Sequence, residues 1–90
     1  MSTEEKVAVF KQEGRAVAEG KGFKKDNKLS KINSRDVYKD PSTKDLYALD
    51  TYHGSFEHCN KRGKHLGEVD FDFNFLDDAD SSGRHDLIVK

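Results

Sequence analysis

From residue 36 onward, apolar and polar side chains tend to alternate with a period of two, and turn signals cut that alternation into short pieces. A period of two is that of a β-strand with two distinct faces, so most of this chain is constrained to antiparallel sheet. Residues 37–39 read as a short strand. Asp40-Pro41-Ser42-Thr43 is a turn, because Pro41 presets φ at the second position and Asp40 can bond back to the backbone. The returning strand is 46–50, with Leu46, Ala48 and Asp50 on one face and Tyr47 and Leu49 on the other. Tyr52-His53-Gly54 interrupts the run, and 55–59 resumes it with Ser55, Glu57 and Cys59 on one face and Phe56 and His58 on the other. A basic turn, 60–63, leads into 65–73, expected as one strand in which Glu68, Asp70 and Asp72 alternate with Val69, Phe71 and Phe73. Residues 77–83 read as a polar loop and 87–89 as a last edge strand.

The N-terminal part has a different period. Residues 3–20 predict a helix: Ser2 or Thr3 can cap it, Glu4 and Glu5 favour its positive end, and Gly20 can stop it. Its apolar stripe is broken (Val7, Phe10, Ala16, Val17), and Gly14 weakens its middle. Residues 21–35 are basic and polar, anchored only by Phe23, Leu29 and Ile32, and are expected to be a loop. The fold class is therefore α+β: an N-terminal helix on an antiparallel sheet. One domain, 1–90, divides into a helix (1–20), a basic loop (21–35) and a sheet with a C-terminal segment (36–90). With 33% hydrophobic and 37% charged residues its core must be small. Cys59 has no second cysteine to pair with, and no apolar run is long enough to span a membrane.

The formal net charge of −1 conceals an asymmetry. Residues 1–20 carry three Lys/Arg and four Asp/Glu, residues 21–65 eleven and six, and residues 66–90 two and seven. The middle segment suits a polyanion and the last repels one.

Asp50, His53 and Glu57 fall within eight residues, and Arg84 lies near the C-terminus. RNA cleavage through the 2′-OH needs a base, an acid and a group that neutralises the phosphorane. Glu57 can serve as base, His53 as acid with its imidazolium held by Asp50, and Arg84 as a bidentate phosphate ligand. The scheme needs no metal and no cofactor. Lys39, Lys44, Lys61, Arg62 and Lys64 are candidate RNA-backbone contacts, and Tyr52 a stacking platform for an unpaired base. Each of these also has an ordinary reading as surface charge, turn residue or sheet packing.

Two other classes compete. His53, His58, Cys59 and His65 suggest zinc, but the spacing is poor, since His58 and Cys59 are adjacent and point to opposite faces of a strand. Cys59 reads better as a core residue. A metal-dependent DNase would need a His-rich helix that this pattern lacks. The acidic aromatic segment 68–76 could instead make the chain a non-catalytic protein-interaction module.

The run from Tyr47 to Asp70 resembles the cytotoxic ribonuclease domain of the ribosome-inactivating colicins and cloacin, a domain reused in polymorphic and contact-dependent inhibition toxins. The shared words are Asp50, two residues, His53-Gly54, and Glu57 three residues after the glycine; then His65-Leu66-Gly67 and Asp70. Arg84 follows fourteen residues after Asp70, the spacing of that family's catalytic arginine, and Tyr38 stands where the family has an aromatic residue. The resemblance covers about residues 37–86. It implies a highly twisted antiparallel sheet and a metal-independent endoribonuclease that cleaves one phosphodiester in small-subunit ribosomal RNA. Glu57 would be the base, His53 the acid, Asp50 its support and Arg84 the phosphate anchor. It further implies action in the bacterial cytoplasm, delivery as the C-terminal domain of a larger secreted toxin or synthesis as a free-standing one, and a cognate immunity protein or antitoxin. The chain departs from the family in its near-neutral charge and in Ser55, where the family has a second acid.

Overall fold

A computed structural model describes residues 2–90; Met1, the first residue of the expected helical segment, lies outside them. Helix α1 spans Thr3–Gly20 and is opened by a capping box, in which the Ser2 hydroxyl accepts from the Glu5 N–H and the Glu5 carboxylate accepts from the Ser2 N–H. Strand β1 is Lys24–Lys25 and helix α2 is Asn27–Asn33. Then come β2 (Val37–Lys39), β3 (Leu46–Asp50), β4 (Ser55–Cys59), β5 (His65–Val69) and β6 (Phe75–Asp78). The six strands form one antiparallel sheet in the order β1-β2-β3-β4-β5-β6.

Alternation in the central strands serves two apolar clusters, one on each face. Val37, Leu46, Ala48 and Cys59 face one way and are covered by Leu29 of α2 and Leu87 of the C-terminal segment. Tyr38, Leu49 and Phe56 face the other and pack with Ala18 of α1 and Phe23, flanked by Val17, Tyr47, Val69, Phe71 and Phe73. Each such side chain contributes roughly 1.5–3 kcal/mol on full burial, so this second, aromatic cluster is the larger source of stability. Gly14 belongs to that packing: a Cβ there would lie 2.6 Å from the Leu49 side chain, so the glycine that weakens the helix also lets it approach the sheet.

Three expectations from the sequence need correction. The segment 21–35 is not a loop throughout. Lys24–Lys25 adds an edge strand to β2, and Asp26 caps α2 by accepting the Leu29 N–H at 2.9 Å. Leu29 and Ile32 lie three apart, so a short amphipathic turn can fold down onto the sheet. Residues 65–73 are not one strand either. The chain turns after Val69, with Asp70 accepting the N–H groups of Asp72 and Asn74 and with Phe73 at φ +63°. That reversal makes β6, and it places part of the expected polar loop, Asp77 and Asp78, in a strand. Finally, Leu87–Val89 forms no strand. It is pinned by the Leu87 N–H donating to the Gly63 carbonyl (2.8 Å) and by Asn33, whose side chain bonds both the N–H and the carbonyl of Ile88.

Candidate active site

The β3–β4 hairpin creates the first half of the site. Asp50 ends β3, and its Oδ1 accepts the N–H groups of Tyr52 (2.8 Å) and His53 (3.1 Å). The turn closes with the Gly54 N–H donating to the Asp50 carbonyl. Gly54 sits at φ +69°, and a Cβ there would collide with the Phe10 ring at 2.7 Å, so both backbone and space call for glycine. The same Asp50 carboxylate reaches the His53 ring: Nδ1 lies 2.8 Å from Oδ2. Nδ1 therefore carries the proton that Asp50 accepts, and Nε2 makes no hydrogen bond among the described residues.

This pairing moves both groups. Burial alone would raise the Asp50 carboxyl, but the His53 side chain and the His53 and Tyr52 N–H groups outweigh it and hold Asp50 below the ordinary carboxylate range. The hydrogen bond to Asp50, then its charge, raises His53 above the ordinary histidine value.

Glu57 forms the second half. It lies mid-β4, opposite Ala48 on one side and Glu68 on the other, and is only 5% exposed. Its Oε2 meets His65 Nε2 at 2.5 Å. The other ring nitrogen of His65 accepts the Asp80 N–H at 2.8 Å. A nitrogen that accepts has no proton to give, so the His65 proton sits on Nε2 and points at Glu57. Glu57 Oε1 makes no hydrogen bond among the described residues; its nearest basic group is His85 Nδ1 at 3.7 Å. The other nitrogen of His85 lies 3.5 Å from Asp80 Oδ2. Ser55 donates its hydroxyl to Glu68 on β5.

These groups line a cleft of about 400 Å³. Its wall holds the carboxylates of Asp50, Glu57, Glu68, Asp77, Asp78 and Asp80 with His53, His65 and His85, and no lysine or arginine. Asp50, His53 and Glu68 each bring one donor atom to within 4.8 Å of the others, close enough to share a cation. A smaller groove of about 260 Å³ opens off the same Asp50–Glu57–His85 wall and is lined further by Arg35 and Tyr52.

The structure thus brings Asp50, His53 and Glu57 into one cleft, and places Arg84 outside it. The Arg84 Nε lies 3.2 Å from Ser82 Oγ, and its side chain lines a third groove with Arg35, Asn33 and His85. Tyr52 stands beside His53 in an edge contact and is 77% exposed. Lys61 and Arg62 line a groove with Thr43 and Asp45, and Lys44 and Lys64 flank the turns there, at the end of β4 remote from Ser55. Lys39 faces Asp26 at 3.9 Å. The four residues considered for zinc do not converge. His58 stacks on Tyr47 and bonds Asp45, while burial pushes the Cys59 thiol up to about 12.

Sequence reasoning assigned no role in the cleft to His65, Glu68, Asp80, His85 or Arg35. For His65 a signal was present: a hairpin through 60–64 pairs Cys59 with His65, which puts His65 on the face that Glu57 shares. His85 follows an irregular loop, where no periodicity operates.

The domain is thus α+β, a helix-backed antiparallel sheet with an acid–histidine cleft at one of its hairpins. The Cytotoxic family model matches residues 13–84, and the chain belongs to that family of toxin domains. No curated protein and no solved structure matches it. Among the described residues, no helix is long and apolar enough to cross a membrane.

Proposed function

We propose that the chain is an endoribonuclease toxin that cleaves a phosphodiester by transesterification through the 2′-OH, without a metal. The observation that carries this is the pairing on one cleft wall of Glu57, with Oε1 free, and His53, with Nε2 free. Glu57 removes the 2′-OH proton, the 2′-oxygen attacks phosphorus, and the departing 5′-oxygen takes the proton of His53 Nε2. The products are a 2′,3′-cyclic phosphate and a 5′-OH end. Asp50 supports the acid by favouring the imidazolium, as the raised His53 requires. His65 supports the base by fixing the carboxylate rotamer through its Nε2 proton.

The substrate that fits the family resemblance is small-subunit ribosomal RNA, with Arg84 as phosphate ligand and Lys39, Lys44, Lys61, Arg62 and Lys64 as backbone contacts. The site of action is then the bacterial cytoplasm, and a cognate immunity protein or antitoxin is the expected protein partner.

The test is incubation of purified ribosomes and of total RNA with the folded domain in EDTA, beside His53→Ala and Glu57→Ala. One discrete small-subunit fragment is expected, with rates falling roughly 10²–10⁴-fold in each variant, the usual worth of a positioned acid or base. Full activity in both variants would overturn the assignment. Loss of wild-type activity in EDTA would turn attention to the Asp50–His53–Glu68 set. A second reading has one observation in its favour: β6 is an outer strand that exposes Phe75 and Leu76. As an interaction module working through 68–76, the chain would keep its function in both alanine variants.

A further inference from the structure

We propose that the RNA phosphate reaches Glu57 from the side of Arg35, entering by the smaller groove and settling at the Asp50–Glu57 wall that this groove shares with the cleft of His53, with Arg35 as the cation that receives it; this rests on the ribonuclease assignment above. Both cavities share Asp50, Glu57 and His85. What distinguishes them is charge. The larger adds four carboxylates, Glu68, Asp77, Asp78 and Asp80, and no lysine or arginine. The smaller adds a guanidinium and no further carboxylate. A phosphodiester bears a full negative charge, and like charges at contact distances repel strongly where water is partly excluded. Only the smaller groove offers the phosphate an attractive wall within reach of the base.

Arg35 suits that role. The Ser34 residue before it takes a left-handed conformation (φ +56°) that ends α2, and the Arg35 N–H donates to the Ser30 carbonyl at 3.1 Å. Helix α2 is itself tied to β2 through Ser30 and Val37, so the base of the arginine is rigidly held. Its side chain is exposed and forms no ion pair among the described residues, so its charge is free for a ligand. Tyr52 opens its ring to solvent on the same groove, where an adjacent base can stack. The neighbouring groove shares Arg35 and His85 and adds Arg84 and one carboxylate, Asp86, so it offers the strand a second cation beyond Arg35. Arg84 then holds a flanking phosphate and Arg35 the reacting one.

The experiment measures binding and cleavage separately. A short 2′-O-methyl oligoribonucleotide has no nucleophile and cannot be cut, so its affinity reports binding separately from cleavage. Wild type, Arg35→Gln and Arg35→Lys are titrated across a salt series, each checked for folding by circular dichroism. Arg35→Gln should weaken binding about 10-fold, and its log–log salt slope should flatten by about 0.7, the worth of one phosphate contact on a single strand. Arg35→Lys should restore the slope, since it keeps the charge. In cleavage assays the glutamine variant should raise KM. Near-wild-type binding by Arg35→Gln, or no binding by wild type, would overturn the proposal. So would an Asp78→Asn variant that tightens binding many-fold while Arg35→Gln changes nothing, which would place the phosphate in the acidic cleft. Arg35-dependent binding without any cleavage by wild type would sink the ribonuclease assignment and leave the groove assigned.

Discussion

Phe56 and Glu57 are neighbours in β4, and both are nearly inaccessible, at 0% and 5% exposure. They face opposite ways into two differently built interiors. Phe56 lies against the rings of Tyr38, Tyr47, Phe71 and Phe73, held by contact area and shape. Glu57 lies against His65 and near His85, held by a chain of hydrogen bonds that runs from the Asp80 backbone through the imidazole to the carboxylate. The first interior stabilises the domain by removing apolar surface from water. The second costs desolvation and returns a fixed orientation. One strand thus carries a stabilising face and a chemical face at adjacent positions.

The largest effect should come from the aromatic side. Phe56→Ala removes the hub of that cluster and should cost about 3–5 kcal/mol, read from urea unfolding. A loss below about 1 kcal/mol would mean that the cluster closes over the gap and is less tightly packed than it looks. The polar side should respond to chemistry more than to volume. Glu57→Ala leaves the His65 Nε2 proton without an acceptor and should cost about 1–3 kcal/mol, whereas Glu57→Gln keeps a carbonyl there and should cost clearly less. Equal losses in both variants would show that the histidine finds another acceptor, and would blur the contrast between the faces.

The smallest effect is a pH dependence at the rim of the polar side. The Asp50 carboxyl is lowered on folding, so its stabilisation is fully present above the ordinary aspartate value and is lost as pH falls through the lowered one. His53 is raised, so its stabilisation is fully present below the ordinary histidine value and is lost as pH rises through the raised one. Both contributions coexist between about pH 4 and 6.5, the ordinary values for the two groups. The Tm difference between wild type and Asp50→Asn should be widest in that window and narrow on either side. A difference independent of pH would mean that Asp50 acts only by capping the turn.

Much of this was legible in the sequence, and the exceptions share a cause. Helix α1 and strands β2, β3 and β4 have the expected limits, because each rests on a local device: a capping box, the turn after Asp40-Pro41, or a clean alternation bounded by Gly54. Local rules likewise put Asp50, His53 and Glu57 on one hairpin, at the end of β3, in the turn and in β4. They failed where tertiary packing overrides propensity. The sequence EVDFDFNF alternates cleanly, yet the chain turns within it and sets Phe73 in a conformation that aromatic residues disfavour, because the ring is wanted against Phe23, Tyr47 and Phe56. Helix α2 was obscured by lysines, although the Asp26 cap and the Leu29–Ile32 spacing were visible. Arg35 was missed because it follows a helix that the sequence reads as a loop, and His85 because it follows an irregular segment; only the assembled fold brings them to Glu57.

The strand order also has a kinetic consequence. Every strand pairs with its neighbour in the chain, so each closure from β2 to β6 spans a short loop and loses little entropy, and the one between β1 and β2 spans only helix α2 and its flanks. Such a sheet can assemble one hairpin at a time, without waiting for distant segments to meet. The clasp between Asn33 and Ile88, 55 residues apart, belongs to no strand pair; it buttons the tail to α2 beside a sheet whose own pairings do not depend on it.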